Sequence, residues 1–358
     1  MRLRLSFSAE TVHSCKPVFG IAQLAILCRF TLNGEGLNCP ILKVLYRLAI
    51  RFLVMHKAAY RPRIFSTDRY QITLPEGHKF PIFKYGMLRQ IIEKEGLFQI
   101  EQSELADAET VALAHDLDYV KNFIAGALPP AAIRRIGLPW SELLVQRAFA
   151  SVGGTVNASL EAFKHGWGAT LGGGTHHAFR GEGAGFCVFN DIAVAIQFLR
   201  QRGLIRRAAV IDLDVHQGDG TAEIFQDDPD VFTLSIHGES NFPLRKKRSR
   251  LDVALPDGVE DSEYLYQLEE VLPAAFAFKP DIIFYQSGVD PLFSDVLGRL
   301  SLTHQGLMER DRRVFEAVRG FGAPFVLTSG GGYSRPIELS AEAHANTYRT
   351  ARQIFASV

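Results

Sequence analysis

Cysteine is scarce in this chain. The four present, Cys15, Cys28, Cys39 and Cys187, form no CxxC pair and no zinc-finger spacing. A disulfide framework is therefore not expected, and a reducing setting, the cytoplasm, fits best. Charge of one sign is not in excess either. The 39 Lys plus Arg balance 39 Asp plus Glu, so no global field draws the molecule to nucleic acid or an anionic membrane. Apolar runs of membrane-spanning length are missing. Pro17–Cys28 is too short, and Ile41–Met55 is interrupted by Lys43, Arg47 and Arg51 at four-residue spacing. No transmembrane segment is expected. One local excess stands out, five basic residues among the six from Arg245 to Arg250, and it reads as a solvated loop.

Acidic residues are nearly absent from the first 57 positions, where Glu10 and Glu35 stand against eight Lys and Arg. This segment reads as sequence upstream of a start at Met55, or else as an organelle transit peptide or an interfacial helix. Residues 1–57 are accordingly set apart as an N-terminal extension, and the folded domain is expected over 65–358. No internal repeat and no low-complexity linker divides that remainder.

What is present is ordinary soluble-domain composition, 47% hydrophobic and 22% charged, in a chain of 358 residues that can bury a large core. Ala208–Leu213, Val231–Ile236, Asp281–Tyr285 and Pro324–Thr328 are short, continuous apolar runs rich in β-branched residues. Such runs suit strands covered on both faces, as in a parallel sheet. Between and around them lie helix-like stretches at Ser141–Lys164, Asp191–Arg202, Ser262–Phe278 and Thr303–Arg319. The alternation predicts a single α/β domain with helices on both faces of a parallel sheet.

In open sheets of this kind, sites form beyond the carboxyl ends of the strands. The chemically interesting residues fall there: Asp214, His216 and Asp219 after the first run, His237 after the second, Asp290 after the third, and Ser329–Tyr333 (SGGGY) after the fourth. Asp214 and His216 are two apart, so their side chains can share one face. Carboxylate and imidazole both suit zinc or iron(II), and Asp290 could complete a three-ligand set with one position open, the pattern of a catalytic metal. Gly172–His177 (GGGTHH) ends in adjacent histidines, and Asp212 and Asp219 could each orient one imidazole for acid/base work. Tyr333 could donate to a developing oxyanion. The glycine run is no phosphate loop, since it lacks a following Lys and GxGxxG spacing.

Taken together, GGGTHH, GFCVFND (Gly185–Asp191), IDLDVHQGDGT (Ile211–Thr221), LSIHGE (Leu234–Glu239), SGVDP and SGGGYS resemble the histone deacetylase superfamily, in the family's order. HQGDGT, HGESNFP and GVDPLFSDVLGRLSLT look most like the class IV type and its bacterial relatives. The resemblance implies the arginase/deacetylase fold, one α/β domain around a parallel, roughly eight-stranded sheet. It implies Asp214, His216 and Asp290 as zinc ligands, with iron(II) as the other candidate ion. His177, supported by Asp219, becomes general base and then acid. His176, paired with Asp212, becomes its electrostatic partner, and Tyr333 the oxyanion donor. Gly174, Phe186 and Phe242 would line an acyl-lysine channel. A potassium ion would sit near Asp212, Asp214, His216, Ser235 and Ile236, with a second such site near Phe225 and Val231. The family's substrate-gripping acid is expected upstream, in the Leu128–Trp140 loop. Thr175, between glycines and histidines, departs from the family's usual pattern. The implied activity is hydrolysis of acetyl-lysine or longer acyl-lysine amides in proteins. The competing readings are a small-molecule amidohydrolase acting on acetylated polyamines and a non-catalytic acyl-lysine binder, and the complete set of site residues speaks against the latter.

Overall fold

The computed structural model of the protein describes residues 61–355. The N-terminal extension, with its apolar runs and its basic bias, lies outside the described residues. Among the described residues, no helix is long and apolar enough to cross a membrane.

Eight strands form one sheet: β1 (Arg63–Ser66), β2 (Gln99–Gln102), β3 (Trp167–Thr170), β4 (Ala208–Asp212), β5 (Val231–Gly238), β6 (Leu251–Leu255), β7 (Ile282–Gln286) and β8 (Phe325–Thr328). Their order across the sheet is β2-β1-β3-β8-β7-β4-β5-β6, and every pairing is parallel. Parallel neighbours need crossover connections, and helices supply most of them, the exception being the helix-free 239–250 loop between β5 and β6. The helices are α1 (Lys84–Glu95), α2 (Ala108–Val111), α3 (Leu117–Ile124), α4 (Pro130–Ile136), α5 (Glu142–His165), α6 (Asp191–Gln201), α7 (Asp219–Ile224), α8 (Asp261–Ala277), α9 (His304–Phe321) and α10 (Glu338–Phe355).

Because strand side chains alternate between faces, each central strand feeds two cores. Ala209, Ile211, Ile283, Tyr285, Phe325 and Leu327 pack on one side with α8, α9 and α10. Ala208, Val210, Ile282, Phe284 and Val326 pack on the other with α5 and α6. This is the two-faced burial that the continuous apolar runs predicted. The four expected strands and four expected helices appear within two residues of their predicted ends. The half-exposed edge strands β2 and β6, with burial alternating or absent, carry no such signal.

The helix α5 illustrates how packing shapes this scaffold. Ser141 caps it by accepting the Leu144 N–H, and Gly166 ends it in the left-handed conformation. In its middle, Gly153 lies so close to the neighbouring loop that a Cβ there would sit 1.9 Å from the carbonyl oxygen of Glu104. The glycine that weakens the helical pattern in sequence is thus required by tertiary contact. Gly153→Ala is expected to lower stability by about 1–3 kcal/mol through overpacking, outweighing a helix-propensity gain of about 1 kcal/mol. Chemical denaturation of the two proteins measures it, and an unchanged midpoint would contradict the close approach.

Candidate active site

Five neighbouring strands, β3, β8, β7, β4 and β5, deliver their carboxyl ends to the same edge of the sheet. The loop after β3 carries Gly172–His177, that after β8 carries Gly330–Tyr333, that after β7 carries Ser287–Asp290, and that after β4 carries Asp214–Asp219. A buried arginine ties these ends together. Arg310 of α9 donates to the carbonyls of Gly288 (2.7 Å) and Leu213 (3.2 Å) while pairing with Asp311.

Asp214, His216 and Asp290 converge. Their candidate ligand atoms all lie within 4.8 Å of one another, and all three residues are buried. His216 Nδ1 stands 3.1 Å from Asp214 Oδ1 and 3.1 Å from Asp290 Oδ2. Tetrahedral ligands at zinc-type bond lengths would be separated by about 3.3 Å. The remaining oxygens are fixed by backbone donors: Val215 N–H to Asp290 Oδ1 (2.8 Å) and Gly331 N–H to Asp214 Oδ2 (2.8 Å). Burial and the neighbouring Asp214 charge push the Asp290 carboxyl up to about 7. Burial works against a charged His216, but its hydrogen bonds to both carboxylates prevail and raise it to about 10. Two buried carboxylates favour positive charge between them, and a divalent cation replacing the imidazole proton would supply it, so the donor set fits such an ion.

The histidine pair is built as expected. His176 Nδ1 is 2.7 Å from Asp212 Oδ2, and His177 Nδ1 is 2.7 Å from Asp219 Oδ1, with all four residues buried. The two imidazoles diverge electrostatically. For His176, burial is outweighed by the charges of Asp212 and Asp214, and its pKa rises to about 9. For His177, burial and the adjacent His176 charge dominate, and its pKa falls to about 4. One ring is held charged and the other neutral.

Tyr333 completes the wall. Its ring is 6.4 Å from that of His216 at 85°, and burial together with the charges of Asp290 and Asp214 keeps its phenol protonated. Its backbone N–H donates to Asp295 Oδ2 (2.6 Å), whose other oxygen accepts from Leu297 and Gly298 (both 2.8 Å). A cavity with an empty volume of about 740 Å³, open solvent at its mouth included, is lined by His176, His177, Asp214, His216, Gly174, Phe186 and Tyr333, among others. Phe186 holds a left-handed backbone (φ 67°). Phe242 is not in that lining. It sits at 44% exposure with its ring 4.9 Å from His177, at the rim.

Three expectations need adjustment. The segment Leu128–Trp140 contains no Asp or Glu and forms α4, so it supplies no substrate-gripping acid. Its backbone instead holds the channel loop, Arg135 O and Ile136 O accepting from Gly185 and Phe186. The basic run is only partly solvated, since Lys246 donates to the carbonyls of Glu239, Asn241 and Pro243 and so braces the turn bearing Phe242. His237 is buried in β5 and bonded to Ser235 Oγ (2.9 Å), outside the cavity lining. Asp212 and Ser235, two of the residues expected around a monovalent cation, are register partners across β4 and β5.

Some supporting residues were not singled out from sequence. Asp191, fully buried, accepts from Gly174 N (2.9 Å), Thr175 N (2.7 Å) and Thr155 Oγ1 (2.5 Å), which fixes the loop leading into the histidines. Its place in the Gly185–Asp191 motif was the available signal. His115 Nε2 accepts the Asn190 N–H at 2.8 Å.

The arrangement combines a group that could hold a metal ion with two carboxylate-backed histidines, an apparatus suited to a hydrolase of the α/β class. A family model, the histone deacetylase domain, matches residues 78–348, and the chain belongs to that family. Among its relatives, an uncharacterized protein of Picosynechococcus sp. is 44% identical over 301 residues, 82% of this chain and 99% of that protein. Histone deacetylase 2 of Arabidopsis thaliana is 31% identical over 272 residues, 72% and 70% of the two chains. Acetoin utilization protein AcuC of Bacillus subtilis is 36% identical over 254 residues, 64% and 65%. The eight-stranded parallel sheet agrees with the arginase/deacetylase fold, and the protein is an amide hydrolase of the deacetylase type.

His115 makes this region acid-sensitive. Burial lowers its pKa from 6.5 to about 4. Between those values the unfolded chain binds the proton that the folded chain refuses, so the neutral histidine's contribution is complete above 6.5 and declines as pH falls. Thermal unfolding from pH 7 to pH 4.5 should show His115→Gln losing less stability on acidification than the parent. Equal losses would remove His115 as the source.

Proposed function

We propose that this protein is a zinc-type lysine deacylase, hydrolysing acetyl-lysine or longer acyl-lysine amides in proteins. The observation that carries the reading is convergence. The Asp214–His216–Asp290 group, two carboxylate-backed histidines and Tyr333 all meet around one cavity.

Asp214, His216 and Asp290 would hold the ion. When bound, it supplies Lewis acidity, polarising the amide carbonyl and lowering the pKa of a water to about 7. His177 donates its Nδ1–H to Asp219, which leaves Nε2 as the acceptor for the proton of the attacking water. Its low pKa keeps that nitrogen free at neutral pH. The same group then gives the proton to the departing amine nitrogen. His176, charged and anchored on Asp212, places positive charge beside the developing oxyanion. Tyr333 donates its O–H to that oxyanion. Gly174 and Phe186 line the way in, and Phe242 borders it. Asp212, Asp214, His216, Ser235 and Ile236 would hold a potassium-type ion, which would offset the buried carboxylates. The catalytic domain is assigned to residues 65–358.

Tyr333→Phe is expected to lower kcat by about 10²–10³ with little change in KM. Steady-state turnover of an acetyl-lysine peptide measures it, and full activity would overturn the role. A panel of acetyl-lysine, long-chain acyl-lysine and acetylpolyamine substrates should show release abolished by a chelator and restored by zinc. Preference for the polyamine would favour the small-molecule amidohydrolase, and no metal-dependent release from any of them would sink the deacylase reading.

A further inference from the structure

Two buried cations adjoin the catalytic cavity, and among the described residues neither is ion-paired with a carboxylate. The cavity that holds the histidine pair is also lined by Thr67, Tyr85, Leu144, Arg147, Ala148 and Ser151. Arg147, on α5, is 8% exposed. Its guanidinium lies 4.4 Å from the centre of the Tyr85 ring and 5.9 Å from that of Phe80. Its donors reach Tyr70 O at 3.4 Å and the Tyr85 side chain, and Asp68 adds an attractive charge without forming an ion pair. Lys84, 2% exposed, donates to Gly330 O at 3.2 Å, with its ammonium 5.2 Å from the Tyr85 ring and 5.6 Å from the Tyr333 ring. Among the described residues, neither forms an ion pair with Asp or Glu.

Arg310 shows how this fold satisfies an arginine whose role is structural. It is fully buried, ion-paired with Asp311 and bonded to two backbone carbonyls at strand ends. Arg147 has the burial without that compensation, and a buried charge without a counter-charge is costly. Burial accordingly lowers its pKa from the ordinary guanidinium value. Its stem and ring contacts fix the side chain, while the planar fork of N–H donors, suited to a carboxylate gripped by two parallel bonds, remains largely unused. The space it faces belongs to the same cavity as the reacting groups.

Building on the deacylase reading, we propose that Arg147 is a specificity-determining residue that selects acyl groups ending in a carboxylate, of the succinyl and glutaryl type. The amide carbonyl lies at Tyr333 and His177, and the distal carboxylate meets the Arg147 guanidinium. Lys84 adds positive potential from the far side of Tyr85. The chemistry is ordinary amide hydrolysis. The C–N bond breaks, the water oxygen joins the acyl carbon, a water proton goes to the amine nitrogen, and lysine and a dicarboxylate leave.

The test compares kcat/KM of the metal-loaded full-length protein on one peptide carrying acetyl-, butyryl-, succinyl- or glutaryl-lysine. At least one diacid substrate is expected to exceed the butyryl substrate tenfold or more. Arg147→Met should cut that ratio at least tenfold, chiefly through KM, and Arg147→Lys should fall between. A parent enzyme that prefers butyryl- or acetyl-lysine over both diacids, or an Arg147→Met variant that keeps the ratio, overturns the assignment. Should Arg147→Met fail to fold, thermal shifts of the parent decide: glutarate should raise the melting temperature more than butyrate at equal concentration, and equal shifts count against it. Turnover of acetyl-lysine without the diacids defeats this inference alone. Absence of turnover on all four defeats the deacylase reading with it.

Discussion

Negative charge confined at the carboxyl edge of a parallel sheet is the constraint around which this molecule is organised. Asp212, Asp214, Asp219 and Asp290 are each at most 4% exposed and crowd the ends of β4 and β7. Like charges in such a place repel strongly, because water is not there to screen them. Three imidazoles and a series of backbone N–H groups answer that repulsion, each carboxylate accepting at least one of them. The division of labour between the two adjacent histidines follows from the same field. His176 is enveloped by carboxylates and stays charged, and its charge in turn discourages a second proton on His177.

Holding such a cluster requires loops that approach one another more closely than side chains permit. Gly331 shows the limit, since a Cβ there would lie 2.0 Å from Asp290 Oδ2. At Gly174 a Cβ would collide with Gln286 at 1.9 Å, in a backbone already left-handed at φ 73°. Asp191 and Arg310 then stiffen the two sides of the site from within the scaffold, one gathering donors of the β3 loop, the other gathering carbonyls of the β4 and β7 loops.

Much of this was legible in the chain. Central strands announce themselves because both faces are buried, so Ala208–Asp212 and Ile282–Gln286 read as unbroken apolar runs ending in acids and polar residues. The candidate ligand triad and the histidine pair were legible because each sits at such an ending, with a fixed spacing to its partner. Residues that matter through long-range packing were not. Arg147 lies in the interior of α5, where an arginine reads as solvent-facing, and only the tertiary contact with Tyr70, Phe80 and Tyr85 turns it inward. Asp295 looks like a loop acid, because its three backbone donors come from its own turn and from a loop 38 residues away. The Leu128–Trp140 segment hides its role for a related reason: it contributes through main-chain carbonyls, which every residue has.

Asp295 also sets how the site responds as a mechanical object. One carboxylate oxygen grips the turn that follows Asp290, and the other grips the backbone of Tyr333. The phenol and the nearby ligand loop therefore share one anchor. Loss of that anchor would release both segments at once. The turn after Asp290 and the backbone of Tyr333 are held by one side chain rather than two.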